Sequence, residues 1–171
     1  MNGIRASILT VSDRCSRGEA RDTSGPALTR MVEQELDGTV ISTACVQDVR
    51  EQIAQRLRNW ATGEDAPDLI LTTGGTGLAP RDVTPEATLD VIERRHSGLT
   101  ELIRLRCFEK TPLAFLSRAE AGTVERTLII NLPGSERGAT ESLAAILDVL
   151  PHAIKVLSGD AAHDSERRSD S

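Results

Sequence analysis

The sequence predicts one α/β domain, three layers thick, with a mainly parallel sheet between helices. Three observations carry this expectation. Short apolar runs alternate with stretches of helical periodicity. Several of these runs lead directly into a polar or glycine-rich loop. No internal repeat or interdomain linker interrupts the alternation. At 171 residues the chain is the size of one ordinary domain, which buries roughly 70% of its unfolded surface. The domain is expected over 1–158. The small, charged residues of 159–171 are expected to form a disordered tail.

Taken in order, Ala6 to Val11 reads as a buried strand that ends in the polar loop Ser12-Asp13-Arg14. Loop continues to Gly25. Pro26 suits a first helical turn, Leu28, Met31, Val32 and Leu36 share a helical face, and Gly38 can end the helix. A second strand spans Thr39 to Val46. Asp48 and Glu51 then form a plausible capping box for a helix with the stripe Ile53, Leu57 and Trp60. After the break at Asp65-Ala66-Pro67, Asp68 to Thr73 is a strand that runs straight into Gly74-Gly75-Thr76-Gly77.

Thr84 and Pro85 look like an N-cap and first residue of a helix turning Ala87, Leu89 and Ile92 to the core. Leu99 to Phe108 follows as a helix whose apolar side is Leu99, Leu102, Ile103 and Leu105. The stretch from Thr111-Pro112 to Leu116-Ser117-Arg118 carries no firm assignment. Thr127 to Leu132 is a β-branched strand stopped by Pro133-Gly134. Leu143, Ile146, Leu147 and Leu150 mark a helix, continued by a final segment from Pro151 to Leu157.

Composition removes several function classes. A net charge of -6 disfavours nucleic acid and anionic membranes as partners, and 2% aromatic residues leaves few rings for base stacking. Cys15, Cys45 and Cys107 show no paired spacing, so reduced thiols are expected rather than disulfides or zinc ligands. His96, His152 and His163 stand apart from other plausible ligands. The N-terminus has no leader pattern and no segment reaches the ~20 apolar residues of a membrane span, so a cytoplasmic protein is expected.

In a parallel sheet, ligands collect beyond the carboxyl ends of the strands, which would bring Ser12-Asp13, Asp48, Gly74 to Gly77 and Asn131 to Gly134 to one rim. Adjacent glycines after a buried strand let the backbone approach an anion, although a simple turn would look the same. The loop matches neither a Walker A motif nor the G-x-G-x-x-G fingerprint. Arg81-Asp82 follows it, where Asp82 could reach a ligand or hydrated Mg²⁺, or merely satisfy helix amides. Ser117-Arg118 offers a hydroxyl and a forked cation; a capping serine beside an exposed arginine is the plainer alternative. Glu101 is ordinarily a solvated helix residue. Asn131-Leu132-Pro133-Gly134-Ser135 could shape an adenine or phosphate pocket, with a plain turn as the default.

The runs V-S-D-R (11–14), D-T-S-G-P (22–26), T-T-G-G-T-G with R-D-V-T-P-E-A-T (72–88), L-S-R (116–118) and N-L-P-G (131–134) together resemble the molybdopterin-binding family, in matching order and spacing from Arg5 to Gly159. Within it the chain is most similar to the adenylyltransferase branch of the Mog and gephyrin G-domain kind. The resemblance implies the fold of that domain and the transfer of AMP from MgATP to molybdopterin, with pyrophosphate released. By residue, it implies essential carboxylates at Asp48 and Asp82, which could also hold Mg²⁺. It places molybdopterin or its phosphate near Ser12, Asp13, Gly74, Gly75, Thr76, Gly77, Arg81, Ser117 and Arg118. The nucleotide would lie near Asn131, Leu132, Pro133 and Gly134, and Glu101 matches an acidic family position.

The resemblance further implies a homotrimer and a molybdenum-insertion enzyme as partner. Two departures stand out: Gln47 replaces a proline common before the carboxylate, and Ser97-Gly98 stands where Pro-Gly is common. Neither removes a proposed catalytic group. A non-catalytic molybdopterin-binding module is the alternative reading, which retention of both aspartates disfavours.

Overall fold

The computed structural model describes residues 3–159. Its elements run β1 (Arg5–Val11), α1 (Asp13–Ser16), α2 (Ser24–Glu35), β2 (Thr39–Val46), α3 (Arg50–Ala61), β3 (Leu69–Thr73), α4 (Thr84–Leu89), β4 (Arg94–Arg95), α5 (Ser97–Phe108), a 3-10 helix (Pro112–Leu116), β5 (Ala121–Val124), β6 (Thr127–Leu132), α6 (Glu136–Ala144) and α7 (Leu150–Ser158). The sheet order is β2-β1-β3-β6-β5-β4. The first four strands are mutually parallel, and β5 and β4 add an antiparallel edge.

The expected three layers follow from alternation along the central strands. Ile8, Leu69, Leu71, Leu128 and Ile130 face one core, shared with Leu28 and Val32 of α2, Ile103 of α5, Leu143 of α6 and Ile154 of α7. Leu9, Ile70 and Ile129 face the other, which Ile53 and Leu57 of α3 and Ala87 of α4 complete. Strands β3 and β6 are buried along their whole length, as strands covered by helices on both faces must be.

Several expectations need correction. Residues 13–16 form a single helical turn capped by Ser12, not a loop. Helix α2 starts at Ser24, two residues before Pro26, because Asp22 reaches its end: Asp22 Oδ1 accepts from Gly25 N at 3.0 Å while Oδ2 accepts from Thr10 Oγ1 at 2.6 Å. The capping box at Asp48 does not form. Val49 occupies the cap position of α3 without a side-chain bond, and the Asp48 carboxylate points elsewhere.

Likewise Val83, not Thr84, caps α4, and Thr84 is its fully buried first residue. Helix α4 stops at Leu89, which is 43% exposed, and Ile92 reaches the core from beyond the helix. Leu105 is 61% exposed, so the buried side of α5 is narrower than its leucines suggest. The helical pattern from Leu143 to Leu157 breaks into α6 and α7. Strands β4 and β5 carried no sequence signal: one is two arginines and the other contains Ala121 and Gly122, both poor strand formers. Of the expected tail, Gly159 ends α7 in a left-handed conformation, and 160–171 lie outside the described residues.

Candidate active site

The carboxyl ends of β1, β2, β3 and β6 meet at one rim, as parallel topology requires. Strand β1 delivers Ser12 and Asp13, and β2 delivers Asp48. The two turns are stitched by reciprocal bonds: Asp13 N donates to Asp48 Oδ2 at 2.9 Å, and Asp48 N donates to Asp13 Oδ1 at 3.1 Å. Asp13 is buried and also pairs with the exposed Arg81.

Between them lies the glycine loop. Gly74 has φ +109, and a Cβ there would stand 2.1 Å from Val11 O, so no other residue fits without moving β1. Gly75 has φ +64, and its absent Cβ would meet Thr84 Oγ1 at 2.4 Å and Asp48 Oδ1 at 3.2 Å. The loop is tied to the turn after β6 by Gly74 N donating to Leu132 O at 3.1 Å and Thr73 Oγ1 donating to Pro133 O at 2.7 Å. Further on, Asp82 Oδ2 accepts from Ala79 N at 3.0 Å and lies 2.8 Å from where a Gly77 Cβ would be.

A cleft of about 480 Å³ opens beside this loop. Gly75 to Gly77 and Asp82 form one wall, the 3-10 helix with Ser117 a second, and the turn Pro133-Gly134 with the start of α6 a third. Asp48 is not in its lining. It flanks the loop on the Asp13 and Thr84 side. Ser135, the last residue of the expected pocket loop, lines the cleft, and so do Thr111 and Ser142, which sequence reasoning missed. Neither of those two had a local signal, whereas Ser135 also caps α6, its Oγ accepting from Gly138 N at 3.1 Å.

The Asp48 carboxyl is held above the usual carboxylate range, first by burial and then by the negative charge of Asp82. Burial pushes the Cys45 thiol up to about 11 and also raises Cys107, which lines the cleft.

A family model described as "Probable molybdopterin binding domain" matches residues 7–152. The chain belongs to the molybdopterin-binding family. The family places it in molybdenum cofactor biosynthesis. It is 36% identical to molybdopterin adenylyltransferase of Helicobacter pylori strain J99 over 168 residues, covering 98% of this chain and 95% of that one. It is 41% identical to the molybdenum cofactor synthesis protein cinnamon of Drosophila melanogaster over 162 residues, 95% of this chain. The chain spans about a quarter of the length of cinnamon (27%) and of Dictyostelium discoideum gephyrin (22%). Among solved structures, the molybdopterin biosynthesis enzyme MoaB of Thermus thermophilus is 50% identical with a TM-score of 0.86, covering 91% of this chain and 97% of that one. A MogA structure is 36% identical with a TM-score of 0.83, covering 90% and 99%.

The other expected positions divide between cleft and scaffold. Ser117 and Thr76 reach the cleft. Asn131 also borders it, but its side chain is fully engaged: Nδ2 donates to Thr72 Oγ1 at 2.9 Å and Thr88 Oγ1 at 2.8 Å, and Oδ1 accepts from Glu120 N at 3.1 Å. Leu132 is completely buried in the core behind Pro133 and Gly134. Glu101 is exposed on α5 and absent from the cleft lining. Arg118 donates to Gly77 O at 2.8 Å, to Asp82 O and to the Glu86 carboxylate, so its guanidinium braces the loop.

The donor set suits Mg²⁺. Among the described residues no three or more His, Cys, Asp or Glu converge on a point. Asp48 and Asp82 nonetheless flank one loop, and Thr84 Oγ1 is buried beside Asp48 without a hydrogen-bond partner. One or two carboxylates, with phosphate oxygens completing the shell, is how Mg²⁺ is commonly held. No helix of the described residues is long and apolar enough to cross a membrane.

Proposed function

We propose that this chain is a molybdopterin adenylyltransferase, which moves AMP from MgATP to the terminal phosphate of molybdopterin and releases pyrophosphate. The observation that carries the reading is the pair Asp48 and Asp82 on either side of the glycine loop, with Asp82 in the wall of the cleft and its charge felt at Asp48. A carboxylate whose charge is disfavoured by burial and by a neighbouring carboxylate is set to receive a cation.

In the reaction a molybdopterin phosphate oxygen attacks the α-phosphorus of ATP in line. The bond to the new phosphoanhydride forms as the bond to pyrophosphate breaks, and the electron pair leaves with pyrophosphate. The attacking phosphate is already an anion, so no protein nucleophile is needed. The main barrier is repulsion between two anions, which a preorganised polar site lowers. Magnesium, when bound by Asp48 and Asp82, supplies positive charge to the phosphates. The loop from Gly74 to Gly77 brings backbone close to the terminal phosphate, Ser117 and Thr76 orient molybdopterin, and Pro133-Gly134 shapes the nucleotide end.

Ser12, Asp13 and Arg81 complete the rim: Asp13 holds Asp48 in place, and the exposed Arg81 is within reach of an arriving phosphate. Likeness along nearly the full length of the Helicobacter adenylyltransferase supports the same activity. The reading includes a cytoplasmic homotrimer that passes its product to a molybdenum-insertion enzyme. Incubation with molybdopterin, ATP and Mg²⁺ tests it, with pyrophosphate and adenylyl-molybdopterin formed in equal amounts. Molybdopterin binding without pyrophosphate would instead make the chain a binding module.

A further inference from the structure

Arg118 follows directly on Ser117, the cap residue of the 3-10 helix. Its backbone N–H donates to Thr76 O at 2.9 Å. Its side chain then spans the loop after the glycines: Nε donates to Gly77 O at 2.8 Å, Nη2 donates to Asp82 O, and Nη1 pairs with Glu86 of α4. One guanidinium therefore ties together both ends of the segment 77–82 and the helix that follows it. Inside that segment, Asp82 N donates to Ala79 O at 2.9 Å and Ala79 N donates to Asp82 Oδ2 at 3.0 Å, closing the turn that carries the carboxylate.

A second arginine holds the strip from behind. Arg104 Nε donates to Ser117 O at 3.0 Å, and its Nη2 donates to Ala119 O at 3.1 Å, so the residues on either side of Arg118 are fixed to α5. The Arg118–Glu86 pair is itself partly solvated, each side chain being 36% exposed, so the ion pair contributes little stability as such. Its effect is geometric. A rigid planar fork spreads its donors to reach two carbonyls and a carboxylate at once, a geometry that the compact ammonium of lysine does not reproduce. Bonds from a charged donor are also about twice as strong as neutral ones.

We propose that Arg118, held by Glu86 and Arg104, is a positioning residue that sets the loop 77–82 so that Asp82 stands in the cleft wall before any ligand arrives. The chemical role it serves through Asp82 rests on the adenylyl-transfer reading; the setting of the loop does not.

The test measures amide exchange by NMR in the ligand-free protein, and steady-state kinetics with molybdopterin and MgATP, for Arg118→Gln, Arg118→Lys and Glu86→Gln. Arg118→Gln is expected to speed exchange at Ala79 and Asp82 by about fivefold or more, the factor that follows from losing at least one hydrogen bond of ordinary net strength. Amides of β1, β3 and β6 should keep their protection. Turnover should fall by about tenfold or more with a smaller change in KM for MgATP. Lysine should recover part of both effects, and Glu86→Gln should loosen the same two amides less. If Arg118→Gln does not fold, the other two variants decide.

Unchanged exchange at Ala79 and Asp82, or a uniform rise across the strands, would overturn the proposal. So would loosened amides with full turnover. If the wild-type chain releases no pyrophosphate, the adenylyl-transfer reading fails, while the exchange data still decide whether Arg118 sets the loop.

Discussion

Asp13 and Asp48 each use a carboxylate oxygen to accept the other's backbone N–H, at 2.9 and 3.1 Å. This reciprocal pair locks the turn after β1 to the turn after β2 and aims the Asp48 carboxylate at the glycine loop. It also explains why the expected capping box is missing: the oxygen that would cap α3 is bonded across the sheet instead.

Asp48→Asn follows from that relationship. An asparagine oxygen can still accept from Asp13 N, so Tm should stay within a few degrees of wild type or rise. Turnover should fall by about 10²-fold or more, because the charge is removed while the shape persists. Calorimetry and a pyrophosphate assay at saturating MgATP, with molybdopterin binding measured separately, check both halves. An active, stable variant would reduce Asp48 to a structural link.

The raised pKa of Asp48 makes a pH prediction. Its folded value lies above its unfolded one, so the native state binds the proton more tightly. The stability this contributes is fully present below the unfolded value, about 3.9, and is lost as pH rises through the folded value. The wild type should therefore lose stability relative to Asp48→Asn across that window and run parallel above it. Asp82→Asn should move the end of the window to lower pH by removing the like charge. A difference in Tm between wild type and Asp48→Asn that stays flat as the pH is raised from below the unfolded value to neutrality contradicts the account.

Gly74→Ala should be costly whatever the function. The backbone at φ +109 disfavours any side chain, and the added Cβ would sit 2.1 Å from Val11 O. Destabilisation of at least about 2 kcal/mol is expected, which for a chain of this size lowers Tm by about 4 °C or more. Thermal unfolding within a degree of wild type would mean that the loop relaxes freely.

Asn131→Ala separates a scaffold from a nucleotide contact. The truncation leaves the buried Thr72 and Thr88 hydroxyls and the Glu120 N–H without their partner. A loss of about 2–4 kcal/mol is expected. If KM for ATP rises while Tm is unchanged, Asn131 binds nucleotide rather than holding β6 to its neighbours.

The central fold was legible because its signals are local: β-branched runs for buried strands, glycine pairs for a turn after β3, apolar spacing for α2, α3 and α5. The rim residues were legible for the same reason, since parallel topology sends each strand's exit loop to one side. What was hidden depended on contacts distant in sequence. Asp48 looked like a cap because Glu51 is three residues on; its actual partner, Asp13, lies 35 residues away. The partners of Arg118 were hidden because nothing nearby in sequence announces Gly77, Asp82 or Glu86. Strands β4 and β5 were missed because pairing, of β5 with β6 and of β4 with β5, and not composition, makes them strands. The cleft residues Thr111 and Ser142 are ordinary hydroxyls until the 3-10 helix and α6 face each other.

The most direct test of the central claim is Asp82→Asn, assayed beside the wild type for pyrophosphate released from ATP in the presence of molybdopterin and Mg²⁺. The carboxylate lines the cleft, and its loop is braced independently by Arg118, so the variant should fold and bind molybdopterin normally. Adenylylation should fall by about 10²-fold or more, with pyrophosphate and adenylyl-molybdopterin declining together. Near-normal turnover in a folded Asp82→Asn protein would contradict the account.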